Sequence, residues 1–208
     1  MTTEQVQKSW SLPVILALVT LITTGILMLG HTLTAEQIEA QKQAKKLASL
    51  KRLVPAGLAD NDLLADAVTV FEPEQLGHRK SELMYLGKLG GKTTVRVIPV
   101  VARNGYSGDI ELLVGLLPDG HITAVEIINH KETPGLGDLI ERRKSDWLEQ
   151  FPGTSLDAPA AKQWGVKKDG GAFDQITAAT ITPRAVVAAI KRALIYQQTL
   201  QQGAQDNE

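Results

Sequence analysis

The sequence predicts an α+β protein in which an N-terminal transmembrane helix and a helical stalk precede an antiparallel sheet packed with helices. Three features predict it. Residues 12–30, "LPVILALVTLITTGILMLG", carry no charged side chain, and as a helix rising about 1.5 Å per residue they nearly match a hydrocarbon core of roughly 30 Å. Between Ser81 and His130, β-rich runs alternate with Gly-Gly, Ser-Gly and Asp-Gly turn signals, the pattern of a hairpin meander. After Pro183 the apolar residues Val186, Val187, Ile190, Ala193 and Leu194 fall on one helical face.

The elements follow in chain order. Lys8 gives the apolar run a short positive flank, but the run is long for a signal peptide and no A-x-A cleavage site follows it, so 12–30 is read as a retained anchor. Lys42, Lys45 and Lys46 lie downstream against Lys8 and the terminal amine upstream, and this count leans toward a cytoplasmic body. Thr34 and Gln37 have capping-box spacing ahead of "AEQIEAQKQAKKLASLKRL", a stretch rich in helix formers that Pro55 and Gly57 end. Residues 31–79 are thus a helical stalk and a connecting segment. Then come "ELMYLGKL", a "GGK" turn, "TTVRVIPVVARNGY", an "SGD" turn, "IELLVGLL", a "PDG" turn and "HITAVEIINH". The run "LGDLIERRKSDWLEQF" reads as helical and "PGTSLDAPAAKQWGV" as looped, and the folded domain occupies 80–200, with 201–208 a flexible tail.

Composition excludes several classes. Lys plus Arg number 22 against 23 Asp plus Glu, and no basic run is interleaved with aromatics, so a nucleic-acid partner is not expected. Cysteine is absent, which removes disulfides, thiolate nucleophiles and cysteine-ligated iron–sulfur clusters. Redox chemistry would need a borrowed cofactor. "GGK" at Gly90 lacks phosphate-loop spacing and lies between strands. His130 and Glu132 lack the further ligands a metal requires. Neither a Ser–His–Asp order nor a paired-carboxylate arrangement stands out.

The strongest signal is "DQITAATITPRAVVAAI", Asp174 to Ile190. Pro183 suits a first helical position and Thr182 a cap before it. The free N–H groups of that first turn, with the positive end of the helix dipole, make an anion site beside Thr177, Thr180 and Thr182. A second stretch, "NHKETPGLGDL", reads from its residues first as a Pro-Gly turn before a glycine-softened helix start, and alternatively as a ligand wall, since Pro134, Gly135 and Gly137 permit close backbone approach to something flat or bulky.

Together these residues carry a resemblance. "DQITAATIT" resembles the flavinylation motif D-x-x-[ST]-G-A-[ST], and with "HKETPGLGD", "WGVKKDGGAFD" and an N-terminal anchor the chain resembles the RnfG family, the G subunits of Rnf (Rsx) ion-translocating electron-transport complexes. These FMN-binding domains are related to the C subunit of the sodium-pumping NADH:quinone oxidoreductase. The resemblance implies a membrane flavoprotein that relays electrons between NADH and ferredoxin within such a complex. It implies FMN joined by its phosphate to the last hydroxyl of the motif, Thr180, by a separate flavin transferase. Asp174 then matches the leading acid, Thr177 the first hydroxyl and Ala179 the alanine. Thr177, Ile181 and Thr182 would shape the phosphate site, with Glu132, Thr133, Gly135 and Leu136 beside the isoalloxazine ring. Ala178 departs from the motif where it has Gly, a change that matters if that position needs φ > 0.

The same resemblance implies partners in the other subunits of the complex. It also implies a single-pass protein of the bacterial inner membrane, with residues 1–11 cytoplasmic and the domain periplasmic, against the lean of the lysine count. Two other readings are an FMN-binding component of another respiratory membrane system and a non-catalytic anchored scaffold whose threonines only cap a helix.

Overall fold

A computed structural model describes the backbone of residues 3–205 and the side chains of 12–31, 34 and 47–203. The chain forms two compact units, Met1–Ala48 and Ser49–Glu208. Helix α1, Thr3–Leu53, is continuous. Thr34 therefore opens no new helix: its hydroxyl donates back to the Gly30 carbonyl at 2.8 Å, within the ladder of the preceding turn. The side chains of 35–46 lie outside those described. Within α1, Leu12–His31 has a mean hydropathy of 2.5 and none of it is buried, so this span is long and apolar enough to cross a membrane.

The second unit is built on a five-stranded antiparallel sheet in sequential order: β1 (Val68–Val70), β2 (Glu82–Leu89), β3 (Lys92–Gly105), β4 (Gly108–Leu116) and β5 (Ile122–Asn129). Four of these are the strands expected, and β1 lies in the stretch read as connection. The Gly90–Gly91 turn takes positive φ at both residues, as a tight hairpin demands. At the next hairpin β3 stops at Gly105, which leaves Tyr106 and Ser107 as the turn.

Alternation along the strands feeds two cores. Ile98, Val100 and Ala102 of β3, with Ile110, Leu112 and Val114 of β4, meet Val186, Val187, Ile190 and Leu194 of the C-terminal helix α2 (Ile181–Gln205) on one face. Val95, Val97, Leu113 and Ala124 meet Leu50, Leu53 and Val54 on the other. The end of α1 is thus part of the domain's core, and residues 49–79, read from sequence as stalk and connection, supply buried residues to both faces. Pro99, mid-strand in β3, lies beyond the register of β2, where its missing N–H breaks no ladder bond. His78 Nε2 donates to its carbonyl at 2.9 Å.

Two expectations are corrected. The run 136–151 is no helix but two short 3-10 turns, Gly137–Ile140 and Trp147–Gln150. Its cations are drawn to separate acids instead of a common helical face: Arg142 to Glu126, Arg143 to Glu141 and Lys144 to Asp138. Helix α2 begins two residues before Pro183 and runs beyond the expected end at 200. Residues 206–208 lie outside those described. Pro183 still falls within the first turn, where an N–H would have no helical acceptor.

Candidate functional site

The threonine loop is pinned from below and open above. Phe173, which precedes it, is buried in an aromatic row: Trp164 lies 4.6 Å from it and Phe151 4.9 Å between ring centroids, and Phe151 meets Trp147 edge-on at 5.2 Å. Trp164 is thus a core residue, its indole N–H donating to the Ser155 carbonyl at 2.9 Å. The Asp174 backbone is held at both ends, its N–H donating to Gln150 Oε1 and its carbonyl accepting from Trp147 Nε1, each at 2.7 Å. Its carboxylate pairs with Lys167 at 2.6 Å. Neither Trp147 nor Gln150 could be tied to this loop from sequence, because the contacts join residues far apart in the chain that no spacing rule relates.

Beyond Asp174 the chain makes a tight turn, with the Ala179 N–H donating to the Ile176 carbonyl at 3.1 Å. Ile176 and Ala179 are buried, while Thr177, Ala178 and Thr180 are exposed. Ala178 has φ of 65°, a left-handed conformation at the turn position that favours glycine. It is the residue standing where the resembling motif has Gly. The dihedral which that glycine would supply is retained, at a steric cost from the added Cβ.

Thr180 immediately precedes α2, with its side chain exposed at the helix mouth. The first-turn N–H groups there have no acceptor in the helix's own ladder and carry the positive end of its dipole. Arg184, one turn on, is exposed and forms a two-pronged pair with Asp169 at 2.5 and 2.6 Å, which raises its pKa above the usual value. Thr182 does not cap the helix. It lies inside the first turn, 1% exposed, and its hydroxyl donates to Glu132 Oε2.

Glu132 is the junction of the site. The side chain is buried, with Oε1 accepting from the Ser107 N–H at 3.0 Å and Oε2 from Thr182. One carboxylate therefore joins the β3–β4 hairpin, the loop after β5 and the mouth of α2. Two glycines make room for it. A Cβ on Gly105 would come 2.9 Å from Oε1, and one on Gly137 would come 2.7 Å from Oε2 and 3.0 Å from Thr182 Oγ1. Ser107 was not singled out in the sequence, although the flanking glycines of "GYSG" mark a close approach.

The remaining residues of the loop after β5 divide by exposure. Thr133, Gly135 and Leu136 are exposed, and a Cβ on Gly135 would meet nothing within 4 Å. Its φ of 78° still calls for glycine. The Gly135 N–H donates to Asp138 Oδ1 at 2.7 Å, and Lys144 with that N–H holds the Asp138 carboxyl below its usual range. Both His130 nitrogens are engaged. Nδ1 accepts from the Glu132 N–H at 3.0 Å, which leaves Nε2 to donate to Glu141 at 3.2 Å.

Comparison with known proteins shows the family to which the sequence is similar. A family model described as an FMN-binding domain matches residues 105–195, and one described as the RnfG N-terminal region matches residues 10–53. The chain is 48% identical over 184 residues to the G subunit of the ion-translocating oxidoreductase complex of Pseudoalteromonas atlantica, an alignment covering 88% of this chain and 86% of that protein. It is 40% identical to the equivalent protein of Aliivibrio fischeri strain MJ11, with 90% of each chain covered. Identity to that of Vibrio cholerae strain M66-2 is 43%, covering 88% and 87%.

Proposed function

This chain belongs to the RnfG family, the G subunits of ion-translocating oxidoreductase complexes, and from that membership we propose that it is a membrane-anchored flavoprotein with FMN held as a phosphoester on Thr180. The observation that carries the assignment is the contrast between two neighbouring threonines. Thr180 is exposed at the helix mouth, whereas the Thr182 hydroxyl is buried and committed to Glu132. An ester on Thr180 puts its remaining negative charge beside the first-turn N–H groups of α2, a placement favoured by the helix dipole. Thr177 and Ile181 flank that position on the exposed side.

Thr133, Gly135 and Leu136 are offered as neighbours of the isoalloxazine ring, with open space in front of Gly135. Glu132 holds their loop and the helix mouth in register through Ser107 and Thr182. FMN, when bound, supplies the one- and two-electron redox chemistry, and the chain tethers and orients it. In the complex this protein would serve electron transfer between NADH and ferredoxin coupled to ion movement. A separate flavin transferase would form the ester.

The span Leu12–His31 supports a single-pass anchor. We place that anchor in the bacterial inner membrane, with the domain on the periplasmic side. Two experiments test the proposal. Chain made with the transferase should fluoresce on a denaturing gel, and chain made without it should not. Protease added to spheroplasts should digest the domain; protection of the domain would place it in the cytoplasm.

A further inference from the structure

We propose that Glu126 is a positioning residue: through two arginines it ties the last turn of α1 to the base of the threonine loop, and so fixes how the loop presents its flavin. The flavin part rests on the proposed FMN site. β5 is an edge strand of the sheet. By strand alternation Ala124 and Glu126 point to the same face of it, the face that Leu50 and Leu53 of α1 cover. Glu126 is therefore a carboxylate set beside an apolar core, 5% exposed. A buried ion pair is a weak source of stability next to an apolar side chain of the same size, because both charges must be stripped of water; its use is to fix geometry.

The geometry fixed here runs from one face of the sheet to the other. Arg52, in the last turn of α1, grips the carboxylate with two prongs: Nε donates to Oε1 at 2.7 Å and Nη2 to Oε2 at 3.1 Å. Arg142 donates from Nε to the same Oε1 at 2.9 Å, and from Nη2 to the Val125 carbonyl of β5 at 3.3 Å. Its Nη1 pairs with Glu149. Glu149 lies in the 3-10 turn Trp147–Gln150, whose Trp147 and Leu148 belong to the core on the opposite face of the sheet. The same turn carries both side chains that hold the Asp174 backbone, Trp147 and Gln150. A continuous path of ion pairs, one short turn and hydrogen bonds thus leads from Arg52 to Asp174, at the foot of the loop that bears Thr180. Along it two guanidinium groups face two carboxylates, so removal of either end leaves the remaining links out of balance and couples the ends through the middle.

The side chains at the two ends, Arg52 and Glu149, are 48% and 50% exposed, so Arg52→Met and Glu149→Gln cut the path without opening a cavity. Full-length chain in detergent, made without the flavin transferase, is followed by hydrogen exchange over residues 174–180 and over 110–114 in β4, which separates local opening from global unfolding. The expected result for Arg52→Met is several-fold faster exchange at 174–180, with 110–114 as in wild type. The double variant should exchange no faster at 174–180 than the quicker single one, since either cut breaks the same path. Unchanged exchange at 174–180 in Arg52→Met would overturn the proposal. So would single effects that multiply in the double variant, or equal acceleration at 110–114, which would make Arg52 a support of the whole fold. In chain carrying covalent FMN, Arg52→Met should also lower the emission anisotropy of the flavin, and an anisotropy equal to wild type would overturn the positioning role. Wild-type chain that gains no covalent flavin would instead mark failure of the Thr180 assignment, and the exchange result then decides the tie by itself.

Discussion

At the scale of single residues, the site separates hydroxyls by what they already hold. Three threonines cluster in "TAATIT", and the sequence could assign capping to Thr182 only by its position before Pro183. Its actual partner, Glu132, lies 50 residues away, a contact no local rule foretells. Thr182→Val leaves Glu132 Oε2 buried and unpaired, and should cost about 1–3 kcal/mol in chemical denaturation. The flavin label should survive, since Thr180 is untouched. Ala178 was legible as a departure from the glycine of the motif, and its φ of 65° gives the departure a physical content. Ala178→Gly should relieve the left-handed strain, which exceeds glycine's extra chain entropy, and stabilise the domain by about 0.5–1 kcal/mol. Comparison of the two denaturation midpoints checks this, with an unchanged or lower midpoint for the glycine variant against it.

At the scale of elements, strands and hairpins were readable because alternation and turn residues are local signals, as in "ELMYLGKLGGKTTVRV". The run 136–151 was not. It contains helix formers such as Leu139, Glu141 and Arg142, but Arg142 is drawn to Glu126 outside the run and Trp147 reaches the Asp174 carbonyl. Tertiary contacts decided it. The electrostatics of this segment give it a pH dependence. Arg143, aided by Lys144 and His130, holds Glu141 at a pKa of about 2 against an ordinary 4.5. A depressed carboxylate stabilises the fold above its unfolded value and loses that contribution as pH falls toward the folded one. The melting temperature should therefore decline between pH 4.5 and about 2. Glu141→Gln should melt lower at neutral pH and lose less on acidification, whereas parallel curves for the two chains would remove Glu141 as the source.

At the scale of the whole molecule, the apolar span was plain from its charge-free length, but the reach of α1 into the folded unit was not. Leu50 and Leu53 looked like stalk residues because the sequence places them in a run of helix formers before Pro55. Both are fully buried against β3 and β4. Leu50→Ala should cost about 2–5 kcal/mol in domain stability, a value measurable on the intact chain in detergent. A stalk residue outside the core would cost little. The central claim is the covalent group on Thr180, and the intact mass of the full chain tests it most directly. Wild-type chain made with the flavin transferase should be heavier by one FMN less one water, Thr182→Val should carry the same increment, and Thr180→Val should carry none. An increment on Thr180→Val, or its absence from wild type in the presence of an active transferase, would contradict the account.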